Sequence, residues 1–82
     1  QIFKALANIN RLKIVKLLRD RRPRNVSQIA AEVGISPNAI SKHLILLHNL
    51  DVLENEGKEG HVFYSFNIKM LSDVRKAVDL FV

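Results

Sequence analysis

The 82-residue sequence predicts a mainly α-helical fold with one small β-hairpin, in the order α-α-α-α-β-β-α. Three observations carry that expectation. Two amphipathic periods between Asn25 and Leu50 meet at Gly34-Ile35-Ser36-Pro37, which reads as helix stop, buried turn residue, N-cap and first helical position in succession. An alternating run from His61 to Phe66 follows a glycine-bracketed segment. A final apolar stripe then recurs at helical spacing.

Ile2, Phe3 and Leu6 belong to a first helix, interrupted at Asn8-Ile9-Asn10, with Asn10 as the expected N-cap of the second. Leu12, Ile14, Val15, Leu17 and Leu18 give that second helix a wide apolar stripe, alternating with Arg11, Lys13, Lys16 and Arg19. It ends at the charged run before Pro23. In the third helix Val26, Ile29, Ala30 and Val33 fall at i, i+3, i+4 and i+7 behind Asn25 as N-cap. Gly34 suits the left-handed position that closes it. Ser36 can cap the fourth helix, and Pro37 supplies a preset φ where no backbone donor is needed. Ile40, Leu44 and Leu47 form the buried stripe of this fourth helix, and Asn38, Ser41, Lys42 and Ile45 fall on the opposite arc. This is a helix-turn-helix signature. Asp51 sits where the chain turns out of the fourth helix. Residues 52–56 and 61–66 read as strands flanking Gly57-Lys58-Glu59-Gly60, with Val62, Tyr64 and Phe66 on one face. An isolated hairpin is marginal in water, so that face is expected to pack on the helices. A last helix is predicted over about 68–82, with Met70, Leu71, Val74, Ala77, Val78 and Phe81 at helical spacing and Leu80 and Val82 widening the stripe.

Residues 1–82 read as a single domain. The sequence begins without Met and inside a helical period, so further segments of a longer chain are expected at its ends. The absence of Cys excludes disulfides, thiolate metal sites and cysteine nucleophiles, and fits a reducing cytoplasm. No apolar run approaches the roughly 18 residues of a membrane span, so no membrane partner is expected. The net charge of +5 is unevenly placed. Residues 1–24 carry eight bases against one acid, a net of +7, and residues 25–82 carry five bases against seven acids, a net of −2. A local basic patch points to a polyanionic partner, because neutralising phosphates releases condensed counterions. Lys4, Lys13 and Lys16 fit an ordinary solvated helix face. Arg21, Arg22 and Arg24, gathered in one short loop, are the stronger indication.

The order helix, helix, helix-turn-helix, hairpin, helix is that of a winged helix. The runs Phe3-Lys4-Ala5-Leu6-Ala7-Asn8, Arg11-Leu12-Lys13-Ile14-Val15, Val26-Ser27-Gln28-Ile29-Ala30, Ser41-Lys42-His43-Leu44 and Phe63-Tyr64-Ser65 resemble the ArsR/SmtB family of bacterial and archaeal repressors. The resemblance covers nearly the whole chain. It implies a homodimeric regulator of double-stranded DNA, with an inducer that the sequence does not identify. The family's metal sensors typically carry Cys at the start of the third helix, where this chain has Asn25, Val26 and Ser27. A second family site uses carboxylates and His on the last helix, where this chain has Asp73 and Asp79 but no His. His43, His48 and His61 fall on different elements or faces, and His43, beside the apolar stripe, reads as structural. No metal or cofactor is therefore expected.

Pro37, Asn38, Ser41, Lys42 and Ile45 are the expected base-reading residues. Asn can pair bidentately with adenine, Ser can donate or accept, and Lys can reach a guanine edge or a phosphate. Ile45 departs from the basic residue usual in the family. It is expected to touch a thymine methyl or sugar, or to be covered by a neighbouring element. Arg22, Arg24, Asn25, Ser27 and Gln28, at the entrance of the third helix, are the expected phosphate anchor. Lys58 and His61 are the basic candidates on the wing, among Glu54, Glu56 and Glu59. Ile2, Phe3, Val78, Phe81 and Val82 are expected to bury themselves against a second copy. No nucleophile, base and orienting group recur at a motif spacing, so an enzyme is not expected. The alternative reading is a winged-helix module that binds other proteins without sequence-specific DNA recognition.

Overall fold

The computed structural model describes residues 1–82. The helix-turn-helix forms where its local signals place it. Helix α3 spans Val26–Val33 and α4 spans Pro37–Asn49. Gly34 adopts φ 84° and donates its amide to the Ala30 carbonyl at 2.8 Å. The Ser36 hydroxyl accepts the Ala39 amide at 3.2 Å. Three residues thus reverse the chain, with orphan backbone groups at both helix ends satisfied.

Helices α1 (Ile2–Leu6) and α2 (Ile9–Leu18) precede this unit, and α5 (Ser72–Phe81) closes the chain. The N-cap of α2 is Asn8, not Asn10: the Asn8 side chain accepts the amides of Asn10 and Arg11 at 2.9 and 3.2 Å. Both residues suit a cap by type, and the helix takes the earlier one because Ile9 and Asn10 then extend it. Helix α5 starts at Ser72, four residues later than the apolar spacing suggests. Asn67 is the cause. Its side chain accepts the Lys69 amide and donates to the Asp51 carbonyl, fixing a turn over the residues that follow β3.

The hairpin consists of β2 (Leu53–Lys58) and β3 (His61–Phe66), with Glu59 and Gly60 alone forming the turn. Both have positive φ, 52° and 79°, the pattern of a type I′ turn, whose twist matches that of the strands. The four-residue tip read from the sequence is therefore too long, and Gly57 and Lys58 continue β2. A further strand, β1 (Arg24–Asn25), pairs antiparallel with β3 and completes a sheet of order β1-β3-β2. Nothing in an Arg-Asn dipeptide signals a strand, and long-range pairing alone creates it.

The core lies between the helices and one face of the sheet. Leu6, Ile14, Leu18, Ile29, Ile40, Leu44, Leu47 and Leu53 are fully buried, joined by Tyr64 and Phe66 from β3 and Val78 from α5. Truncating a side chain such as Leu44 to Ala removes about 2–5 kcal/mol of stability. No polar or charged residue is buried. No helix is long and apolar enough to cross a membrane.

Candidate nucleic-acid interface

The stripe of Ile40, Leu44 and Leu47 fixes α4 on the core and determines which of its residues face outward. Pro37, Asn38, Lys42 and Ile45 are exposed and Ser41 is half-buried. At 100° per residue, Asn38, Ser41, Lys42 and Ile45 fall within one arc over the first two turns and a half. Ile45 is 54% exposed, so no neighbouring element of the chain covers it.

Behind this arc, Arg11 ties α4 to the rest of the domain. Its Nε donates to the Ala5 carbonyl at 2.6 Å, and its Nη1 lies 3.2 Å from Nδ1 of His43. Burial, and then the Arg11 charge, hold His43 below the usual histidine pKa. His43 is thereby a neutral acceptor for Arg11, a packing role on the inner side of α4.

The basic loop between α2 and β1 is differently arranged. Arg21 and Arg22 are exposed, but Arg24 is not free. Its Nη1 and Nη2 meet Asp20 at 3.0 and 2.7 Å, and Nη1 also faces the carbonyls of Leu17 and Arg22, each at 3.3 Å. Asp20 further accepts the Arg22 amide at 2.9 Å. Hydrogen bonds from Arg24 and the Arg22 backbone lower the Asp20 pKa to about 2, so the pair stays charged at neutral pH. From the sequence Arg24 reads as an available cation, because an acid four residues earlier does not announce a bidentate pair.

At the start of α3, Asn25 and Gln28 form a reciprocal capping box, with Asn25 N–H to Gln28 Oε1 at 2.8 Å and Gln28 N–H to Asn25 Oδ1 at 2.9 Å. Their carboxamide oxygens are engaged as acceptors, and their NH2 groups remain as donors that an anion can use. Ser27 between them is exposed. At the wing, Lys58 and His61 stand directly opposite each other, both exposed, on either side of the Glu59-Gly60 turn. Glu54, Glu56 and Glu59 are exposed as well. An open hollow of about 330 Å³, lined by Pro23, Glu56, Lys58, Glu59 and Phe63, separates the basic loop from the wing tip.

Helices α1 and α5 pack together. Phe3 is 54% and Phe81 36% exposed, with ring centroids 6.0 Å apart. Ile2 and Val82 are half-buried. Val78 is fully buried in the domain's own core and has no surface to offer a second copy, which corrects its assignment to an interface. Leu80, by contrast, is 77% exposed on the outer face of α5. The helical wheel gave the width of this stripe but not which of its edges meets α1.

A helix-turn-helix backed by a three-stranded sheet whose hairpin projects beside it defines a winged helix-turn-helix domain. Residues 8–55 match the family described as bacterial regulatory protein, arsR family. The transcriptional repressor SdpR of Bacillus subtilis is 33% identical over 72 residues, which span 88% of this chain and 79% of that protein. A homodimeric winged helix-turn-helix DNA-binding domain from Mycobacterium bovis, described as a possible ArsR-family transcriptional regulator, superposes with a TM-score of 0.78. It is 29% identical, over 96% of this chain and 69% of that one. Reduced HlyU from Vibrio cholerae gives a TM-score of 0.76 at 27% identity, over 94% of this chain and 77% of that one. The chain belongs to the arsR family of bacterial regulatory proteins.

Proposed function

We propose that this protein is a homodimeric repressor that binds double-stranded DNA and reads an inverted repeat through α4. The observation that carries this reading is the outward arc of Asn38, Ser41, Lys42 and Ile45 at the entering end of a helix held rigidly by its buried face. A helix of this kind fits the major groove, where each base pair presents a distinct set of donors, acceptors and methyls. Arg21, Arg22, Ser27 and the free NH2 groups of Asn25 and Gln28 supply phosphate contacts, and Lys58 and His61 add a smaller contribution from the wing. Arg24 serves chiefly to hold the loop. Ile2, Phe3, Leu80, Phe81 and Val82 form the face that meets a second copy, in keeping with the homodimeric Mycobacterium bovis domain. A two-fold pair places two α4 helices roughly 34 Å apart, one turn of the duplex.

Selection of bound duplexes from a random pool, followed by salt titration of the winner, tests this. The expected result is an inverted repeat whose affinity falls linearly in log-log form, by about 0.9 per phosphate contact. Absence of binding to any duplex at low salt overturns it. The exposed glutamates of the hairpin favour the second reading, a protein-binding module, and that result would select it.

A further inference from the structure

Ile45 is the apolar residue on an otherwise polar arc. It is 54% exposed, takes no part in the core, and projects from the same side of α4 as Asn38 and Ser41. Its angular offset is about 20° from Asn38 and about 40° from Ser41. The neighbouring Leu46 does not share this position, because it lines a hollow with Gln1, Lys4, Ala5 and Arg11 against α1. The remaining exposed apolar groups lie elsewhere: Phe3 on α1, Leu80 and Phe81 on α5, Ile9 at the start of α2, Ile68 and Leu71 before α5, and Val62 on the wing. None of these groups shares the outward arc of α4 with Ile45.

We infer that Ile45 is a specificity-determining residue that reads the 5-methyl group of a thymine in each half-site. This rests on the DNA-binding reading above and names what that site recognises. The major-groove edge of duplex DNA offers one apolar feature, the thymine methyl, and an aliphatic side chain distinguishes it from the other bases by contact alone. An isoleucine cannot donate to a phosphate, and the base-edge feature it can distinguish is a methyl. The rise along the helix places it. Ile45 lies about 10 Å beyond Asn38 and about 6 Å beyond Ser41. The thymine it meets therefore lies further along the groove than the bases facing Asn38 and Ser41.

The test uses the duplex selected from the random pool, resynthesised with deoxyuridine in place of thymidine at one position per half-site at a time. Deoxyuridine keeps the pairing and removes only the methyl. At one position, substitution in both half-sites is expected to weaken wild-type binding about 10- to 20-fold, about fourfold for each methyl buried. The Ile45→Ala variant is expected to bind the thymidine duplex correspondingly more weakly and to show no further loss with deoxyuridine. Ile45 is outside the core and Ala is a good helix former, so this variant keeps its fold. Equal affinity of the wild type for every thymidine and deoxyuridine duplex overturns the inference while leaving DNA binding intact. So does a methyl dependence that persists undiminished in Ile45→Ala. Failure to select any duplex is a different outcome, which removes the DNA-binding reading and this inference with it.

Discussion

The outer arc of α4 and the loop between α2 and β1 are both rich in polar side chains, yet the fold uses them in opposite ways. Along α4 the side chains of Asn38 and Lys42 stand exposed, because the capping of that helix is done by Ser36 and its anchoring by apolar groups. Where that loop runs into β1 and α3, Arg24 is bound to Asp20 and to two carbonyls, and Asn25 and Gln28 cap α3. Residue type alone does not distinguish the two regions. The difference lies in whether each group's hydrogen-bonding capacity is already engaged, and a surface meant to recognise something else must keep it open.

The largest effect should come from breaking the open region. Asn38→Ala is expected to relax base choice at one position of each half-site by about 1–3 kcal/mol, read as a selected consensus that loses one fixed base. Lys42→Ala should lower affinity for the same duplex. If both variants select the same site with unchanged affinity, α4 is not the reading element and the contrast between the regions has no functional content.

A slightly smaller effect follows from disturbing the turn that aims α4. A Cβ added at Gly34 meets nothing within 4 Å, so Gly34→Ala carries only the strain of φ 84°. That strain is about 1–2 kcal/mol, measurable by urea denaturation, and Gly34→Asn should lose less. Equal stability of Gly34→Ala and the wild type would show that the turn relaxes. This turn was legible in the sequence because each of its signals is local: Gly34, Ser36 and Pro37 act on backbone groups within four residues of themselves. The strand β1, the start of α5 and the burial of Val78 were not legible in the same way. Arg24-Asn25 becomes a strand only because Tyr64 and Phe63 lie beside it, and α5 is delayed by an Asn67 turn held to Asp51, sixteen residues away. The site divides along the same line, since the arc of α4 follows from helical periodicity, whereas the capture of Arg24 follows from how the loop folds back.

Within the loop itself the comparison can be sharpened further. Arg22→Ala should reduce the slope of log affinity against log salt by about 0.9, the loss of one phosphate contact. Arg24→Ala should leave that slope unchanged and instead lower the melting temperature, since it removes an ion pair and two carbonyl contacts. Equal slope changes in the two variants would mean that DNA draws Arg24 away from Asp20.

The smallest effect belongs to the inner side of α4, where Arg11 faces His43. Because the folded pKa of His43 is lowered, the unfolded chain binds more protons near and below the ordinary histidine value of 6.5. Stability therefore rises with pH through this range. The contribution is complete above about pH 6.5 and is lost as the pH falls from there toward the folded-state pKa, where the imidazolium would face the Arg11 guanidinium at 3.2 Å. His43→Gln keeps an acceptor for Arg11 without a titrating group. Denaturation midpoints followed from pH 8 to pH 5 should decline less steeply for that variant than for the wild type. The DNA affinity of the two proteins at pH 8 should match, because His43 lies behind the arc and supports its placement without touching the duplex. A loss of affinity in His43→Gln at pH 8, with stability unchanged, would move His43 from the supporting face of α4 to the reading one.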